Sequence, residues 1–294
     1  MPSTLVAFGE ILWDVLPSGP RPGGAPVNVA YHAQKLGFRA VPISRTGKDP
    51  WGTDLRTLLQ EQGITTEYLQ EDGEHPTGLV QATIGADHEV SYDIVYPSAW
   101  DFIGWEDRMV ALVREARYFV FGSLITRSAV ARATLLRLIG EAEFPVLDIN
   151  LRAPHYSRER IEELLPRCRL LKLNEHELPL LSAWYNTHTA PRDQVADLSA
   201  RFGIGTVVVT RGGAGALLFQ KGSFAEHQGF TVEVADTVGS GDAFLAGLLS
   251  RLAAGDPPED CLRFANALGA FTASRSGAWP AYAAEEISER FPGQ

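Results

Sequence analysis

YFVFGSLITRSAVARATLLRLIGEAEFPVLDINL, residues 118–151, decides the fold class. Its ends, YFVFGSL and PVLDINL, are short and rich in aromatic and β-branched residues. Between them SAVARATLLRLIGEA, 128–142, carries its apolar residues at helical period. A strand, a helix and a second strand of this kind close as a parallel pair with a right-handed crossover. The alternation continues outward. WEDRMVALVREA (105–116) and SRERIEELLPRC (157–168) read as helices, LLKLN (170–174) as a strand, and TVVVT (206–210), after two more helical stretches, as a β-branched strand. Runs this apolar suit strands covered on both faces. The expectation is a mostly parallel central sheet between helical layers.

The N-terminal third differs. TLVAFGEILWDVLP (4–17) reads as a strand running into a second extended segment, APVNVAYHAQKLG (25–37) as a helix with an early proline and a terminal glycine, and AVPIS (40–44) as a strand. DPWGTDLRTLLQEQG (49–63) reads as a helix capped by Asp49. TGLVQATIGADHEVSYDIVY (77–96) alternates apolar and polar residues around a glycine turn, the mark of a hairpin. Residues 11–22 read the same way. These segments, about 11–22 and 77–98, are expected to form a small sheet set into one domain spanning 1–294.

The chain has 294 residues, is 45% hydrophobic and carries a net charge of −10. That is enough for a sizeable core, and it excludes a broad nucleic-acid or membrane-binding surface while leaving room for a local basic pocket. Two cysteines, Cys168 and Cys261, form no C-x-x-C pair and suit a reducing compartment. The N-terminus lacks a basic leader and is broken by Glu10 and Asp14, and no apolar run reaches membrane-spanning length. A cytoplasmic protein is expected.

In such sheets ligands bind beyond the carboxyl ends of the strands. Those ends are polar here: Asp14; Asp148, Asn150 and Arg152; Asn174 and Glu177; Thr210, Arg211 and Gly212. A charged ligand would account for them. DTVGSGDAFLAGLLSRLAAG, 236–255, opens a helix with glycines and an acid. Gly239, Ser240 and Gly241 can present unpartnered amides at the positive end of the helix, a pocket for phosphate. Asp242 would repel that anion unless it serves as a base toward an attacking hydroxyl. The alternative is an ordinary acid at a helix start behind a glycine loop. No G-x-x-x-x-G-K-[ST] is present, and VVVTRGGAGA lacks the third glycine of a dinucleotide fingerprint, since position 218 is leucine.

Taken together, DTVGSGDAF and PGGAPVNVAYHAQKLG, with GKDPWG, DINLR, NEHE, VTRGGAGA and FANALGAFTASRSGA in the same order, resemble the ribokinase-like (phosphofructokinase-B-type) sugar kinases over nearly the whole chain. GEILWD followed by GGAPVNVAYH is most similar to the bacterial fructokinase branch. The resemblance implies a three-layer α/β/α core with a small β lid over a sugar, and an ATP-dependent kinase using Mg2+. By similarity Asp242 is the base and Gly239–Gly241 the anion hole, with Ser240 where the family usually has alanine and its hydroxyl free to contact phosphate. Asp14, Gly23, Gly24 and Asn28 match sugar-binding positions, and Asn28 can both donate and accept. Arg152 resembles a residue beside the transferring phosphate; a surface ion pair is its alternative. Asn174 and Glu177 match an N-x-x-E motif that orders water around magnesium, and they also fit a helix cap. Thr210, Gly212 and Gly215 would form the nucleotide loop, with Asn266 beside adenine or as a plain helix amide. Asp236 and SRSGA (274–278) resemble a monovalent-cation site, implying K+.

His32, one turn after Asn28, could face the sugar or pack in the core. Tyr92, Tyr96, Trp100, Phe102 and Trp105 crowd the lid and suit water exclusion, lid–core packing or a homodimer surface. The implied substrate is fructose, with ribose, 2-keto-3-deoxygluconate or a nucleoside as alternatives. A non-catalytic sugar or nucleotide sensor is a different class, which an intact base argues against. A dehydrogenase is more distant still.

Overall fold

A computed structural model describes residues 2–16, 19–84, 90–185 and 188–292. In chain order the elements are β1 (Thr4–Phe8), β2 (Leu12–Leu16), β3 (Gly19–Gly23), α1 (Ala25–Lys35), β4 (Arg39–Gly47), α2 (Pro50–Glu61), β5 (Leu69–Asp72), β6 (Gly78–Ile84) and β7 (Val90–Ile94). There follow α3 (Arg108–Glu115), β8 (Tyr118–Gly122), α4 (Ala129–Ile139), β9 (Pro145–Asp148), α5 (Arg158–Leu164), β10 (Leu170–Asn174), α6 (Glu177–Ala183) and α7 (Pro191–Phe202). The chain closes with β11 (Thr206–Thr210), β12 (Ala216–Gln220), β13 (Ser223–His227), α8 (Ser240–Ala254), α9 (Pro258–Ala273) and α10 (Ala284–Arg290).

The large sheet has nine strands in the order β13-β12-β11-β10-β9-β8-β1-β4-β5. Every pairing from β5 to β11 is parallel, and β12 and β13 add an antiparallel hairpin at one edge. Alternate strand residues serve opposite helical layers. Phe119 and Phe121 of β8 join Leu171, Leu173, Val207 and Val209 against α3 to α7. Tyr118 and Val120 join Leu170 and Val208 against α1, α8 and α9. The three-layer α/β/α expectation holds.

The extended run at 4–16 splits between two sheets. β1 sits in the large sheet, and beyond Gly9 the chain enters a four-stranded sheet, β3-β2-β6-β7. β2 and β3 are antiparallel, as are β6 and β7, and the two hairpins join through a parallel β2–β6 pair. Residues 17–18 and 85–89, where the sequence placed turns, lie outside the described residues. Asp49 caps α2 as expected, accepting from the Gly52 amide at 2.8 Å, and also holds the Thr77 amide at 2.8 Å, tying α2 to the strand that opens the second hairpin. β5, with the polar sequence LQED, has no strand signature; it forms because the β4 edge offers it partners.

β1 lies between β4 and β8, so the chain passes to opposite sides of it. Such a switch point opens a crevice at the carboxyl ends of the strands.

Candidate active site

A cavity of about 760 Å3 occupies that crevice. Glu10 follows β1, Ser123 follows β8, Arg152 follows β9, Asn174 ends β10 and Thr210 ends β11, and all line it; Leu12, Asp14, Val80 and Ile94 come from the small sheet. The opposite wall is the start of α8, Gly239 to Asp242.

Gly239 adopts a left-handed φ of 76°, and a Cβ there would stand 2.4 Å from that of Ala278. Only glycine can make this turn. The first amide bonded a full turn back is that of Ala243, to the Gly239 carbonyl at 2.8 Å, so the amides of Gly241 and Asp242 precede the helical ladder. The Ser240 hydroxyl donates to the Thr237 carbonyl at 2.8 Å, so its hydrogen serves the turn rather than a phosphate. Gly24 (φ 109°) brings the other wall in: a Cβ would meet the Glu10 carbonyl oxygen at 2.4 Å.

Asp242 is buried, and Asn28 Nδ2 donates to its Oδ2 at 2.8 Å. Burial and the nearby Asp148 carboxylate push its acid up to about 6, against the pull of Lys172, Asn28 and Arg152. Asp14 also rises to about 6, through burial and the charge of Asp236. Gly23, which pairs with Leu12 on the neighbouring strand, leaves the Asp14 carboxylate room: a Cβ there would lie 2.3 Å from Asp14 Oδ2. Arg152 is exposed, donates only to the Leu151 carbonyl, and forms no ion pair among the described residues, so the surface-pair alternative does not apply.

Asn174 and Glu177 exchange bonds: Asn174 Oδ1 accepts from the Glu177 amide at 3.0 Å, and Glu177 Oε2 from the Asn174 amide at 2.8 Å. Glu177 Oε1 accepts from the Leu151 amide at 2.8 Å, joining the tips of β9 and β10. These bonds close the turn into α6, whose own N-cap, His176, makes no side-chain capping bond; Asn174 also lines the cavity, and Glu177 opens the helix behind it. Thr210 and Gly212 line the cavity as well. Gly215 packs against the β13 exit, at His227 and Gly229, and Asn266 is buried, its amide donating to the Leu262 carbonyl at 2.7 Å; neither reaches the cavity wall. Asp236 accepts from the amides of Val238 and Gly277, both at 3.0 Å, so the two segments expected around a cation do meet.

Sequence reasoning missed three groups. Glu10 is buried, lifted to about 7 chiefly by burial, with Oε1 on the Ala25 amide and Oε2 without a partner. Lys172 is paired with Asp148 at 2.6 Å; burial opposes its charge, but Asp148 and Asp242 outweigh it and raise its pKa. A Cβ on Gly241 would stand 3.3 Å from Lys172 Nζ, so this cation underlies the start of α8. A lysine inside the buried run LLKL was the available signal. The third is Trp279, whose Nε1 donates to Asn28 Oδ1 at 2.8 Å. Asn28, expected both to donate and to accept, does both within the protein, donating to Asp242 and accepting from Trp279.

The aromatic expectations divide. Trp100 is wholly buried in the core and Trp105 packs on it, while Tyr96 is 59% exposed. Phe102 stacks on His75, and the Tyr92 side chain lies outside the described residues. His32 is a core residue, bonded to the Tyr282 hydroxyl and the Ala278 carbonyl.

With this geometry in view, comparison with known proteins is informative. The fructokinase of Escherichia coli is 29% identical over 86% of this chain and 85% of its own length. Fructokinase-2 of Zea mays is 30% identical over 94% of this chain and 90% of its own length. The crystal structure of the Xylella fastidiosa fructokinase with bound ATP superposes with a TM-score of 0.86 at 23% identity, covering 99% of both chains. The Vibrio cholerae fructokinase, in a double-mutant form holding fructose, ADP and a potassium ion, gives 0.83 at 25% identity over 98% of both. The pfkB family carbohydrate kinase model matches residues 19–283, a span that takes in every strand of the large sheet except β1 and the whole start of α8. A sheet switch point, a glycine-led helix start and a buried carboxylate between them are thus set in the framework of that family, and the chain belongs to the pfkB carbohydrate kinases.

Proposed function

We propose that Asp242 is the general base of an ATP-dependent sugar kinase, and that the sugar is fructose. Family membership makes the chain a carbohydrate kinase transferring phosphate from ATP. The observation carrying the residue assignment is a buried carboxylate, lifted to about 6, on the same first turn as the free amides of α8. A base poised near neutrality can be ionised at rest and still accept a proton.

Asp242 takes the hydrogen of a primary hydroxyl as that oxygen bonds to the γ-phosphorus. The bond to the bridging oxygen breaks and ADP leaves with the electron pair. The amides of Gly241 and Asp242, with Lys172 and Arg152, face the charge spread over the transferring group. Asp14 accepts from sugar hydroxyls, Asn28 donates to them, and Gly23 and Gly24 let the ring approach. Thr210, Gly212 and Asn174 adjoin the nucleotide phosphates. Among the described residues no cluster of three or more acidic, histidine or cysteine side chains could hold a metal alone. That suits Mg2+, which binds mainly through phosphates and water; Glu177, its oxygens already oriented, would order such a water. When bound, Mg2+ neutralises phosphate charge. Asp236 adjoins the place for a potassium ion.

We read the four-stranded sheet as a lid whose Leu12, Val80 and Ile94 exclude water, and its outer face as a dimer surface, which sedimentation at a monomer mass would remove. Fructose is favoured by the fructokinase relatives. Arg21, across from Asp14 in the β2–β3 register and on the cavity wall, favours an acid sugar such as 2-keto-3-deoxygluconate as the second reading. No helix among the described residues is long and apolar enough to cross a membrane, and both cysteines are buried and unpaired, which suits a cytoplasmic setting.

ADP release with a panel of sugars, ATP and Mg2+ should give fructose the highest kcat/KM, falling as pH drops through about 6, where Asp242 and Asp14 protonate. Asp242→Asn should lower kcat by roughly 10^3-fold with sugar affinity kept. Wild-type turnover in that variant ends the base assignment.

A further inference from the structure

We infer that Trp279 is a positioning residue for the catalytic base, fixing through Asn28 which oxygen of Asp242 remains free to take the proton. An indole N–H can only donate, so the Asn28 atom 2.8 Å from Trp279 Nε1 must be the amide oxygen. The other end of the amide, 2.8 Å from Asp242 Oδ2, must then be the NH2 group. An ionised Asp242 also favours the NH2 end, but once protonated it could donate to a turned-over amide oxygen; Trp279, by claiming Asn28 Oδ1, blocks that turn and so favours the ionised base. With the tryptophan in place, Oδ2 is held as an acceptor and Oδ1 is the oxygen left for substrate.

The segment that carries Trp279 is itself anchored to the helix that carries Asn28. Tyr31, on α1, stacks on Trp279 with centroids 5.0 Å apart and planes 5° from parallel, and its hydroxyl donates to the Pro280 carbonyl at 2.9 Å. His32 Nε2 bonds the Ala278 carbonyl at 3.0 Å, and burial keeps that ring neutral. Asn28, Tyr31 and His32 share one face of α1 by their spacing. Ala278 in turn packs under Gly239, at the start of α8. Residues 278–280 therefore lock α1 and α8 in the one register in which Asn28 meets Asp242.

The inference rests on Asp242 being the base. The groups that act on Asp242 are Asn28 from α1, Glu10 beyond β1, Asp148 from β9, Arg152 beyond β9 and Lys172 from β10. Trp279→Phe keeps the stacked ring and changes none of these charges. It removes only the donor that orients Asn28.

The test compares pH profiles of kcat/KM for fructose phosphorylation in wild type, Trp279→Phe and Asp242→Asn, with melting temperatures alongside. In Trp279→Phe the acid limb should move up by about half to one pH unit, with kcat falling about three- to tenfold and more than KM rises. An unmoved acid limb beside an inactive Asp242→Asn overturns the positioning role and leaves the base standing; an active Asp242→Asn overturns the base itself. Should Trp279→Phe fail to fold, the 15N–1H resonance of the Trp279 indole in the wild-type chain decides. It should be protected from exchange and lose that protection in Asn28→Ala; a resonance indifferent to Asn28→Ala overturns the inference.

Discussion

The Asp101–Arg127 and Asp148–Lys172 pairs are both almost fully buried, at 2.7 and 2.6 Å. Arg127 grips both oxygens of Asp101 and donates to the Ile94 and Val95 carbonyls. Its guanidinium lies over Trp100, 3.9 Å from the ring centroid, with Tyr96 at 5.0 Å. Asp101 also accepts from the Ser98 amide. Every direction of that pair is answered, and its work is to pin the end of β7 to the core. The second pair makes one contact. Asp148 Oδ1 is buried without a partner, and the ammonium of Lys172 faces the start of α8 and the cavity. The first pair is closed on itself, while the second keeps hydrogen-bonding capacity unanswered within the protein, facing the cavity.

Four substitutions test this contrast, from the largest effect to the smallest. Arg127→Met should lower unfolding free energy by about 3–5 kcal/mol in urea, because Asp101 is left buried and alone, while kcat per folded molecule holds. Lys172→Met should do the reverse: kcat about 10^2-fold lower at saturating substrates, with a smaller loss of stability. If the two variants behave alike, the distinction fails.

Glu10 sharpens the comparison as a buried acid with no ion pair among the described residues. Its folded value near 7 lies above the ordinary 4.5, so the native state binds its proton more tightly than the unfolded chain. That stabilisation is complete below about 4.5 and is lost as pH rises through about 7. Glu10→Gln should therefore unfold at higher urea than wild type at about pH 8, by up to roughly 3 kcal/mol, with the difference gone near pH 4.5. Ser240→Ala, which removes only the bond to the Thr237 carbonyl, should change stability by less than about 0.5 kcal/mol and leave kcat within about twofold.

Much of the frame was legible. TVVVT, LLKLN and YFVFGSL read as strands because burial on both faces demands continuous apolar sequence, and they became β11, β10 and β8. The start of α8 was legible because glycine and a following acid are a local requirement of that turn. β5 was not, since its four residues carry no period and answer only to a neighbouring edge. Nor was the split of 4–16 between two sheets, which depends on where β4 and β6 lie. Asn266 and Gly215 read as nucleotide contacts, and both lie off the wall of this cavity.

By itself the sequence determined what is local: strand and helix periods, the cap at Asp49, the glycine-led helix and the presence of Asp242 on its first turn. Tertiary structure alone decided which distant groups meet at the site: Glu10 and Lys172 on the crevice wall, and Trp279 behind it, reaching Asn28 across 251 positions of chain. The reason is physical. Backbone preferences are set by neighbours in sequence, whereas the proton affinity of a buried carboxylate is set by whatever charges and donors packing brings within a few ångströms.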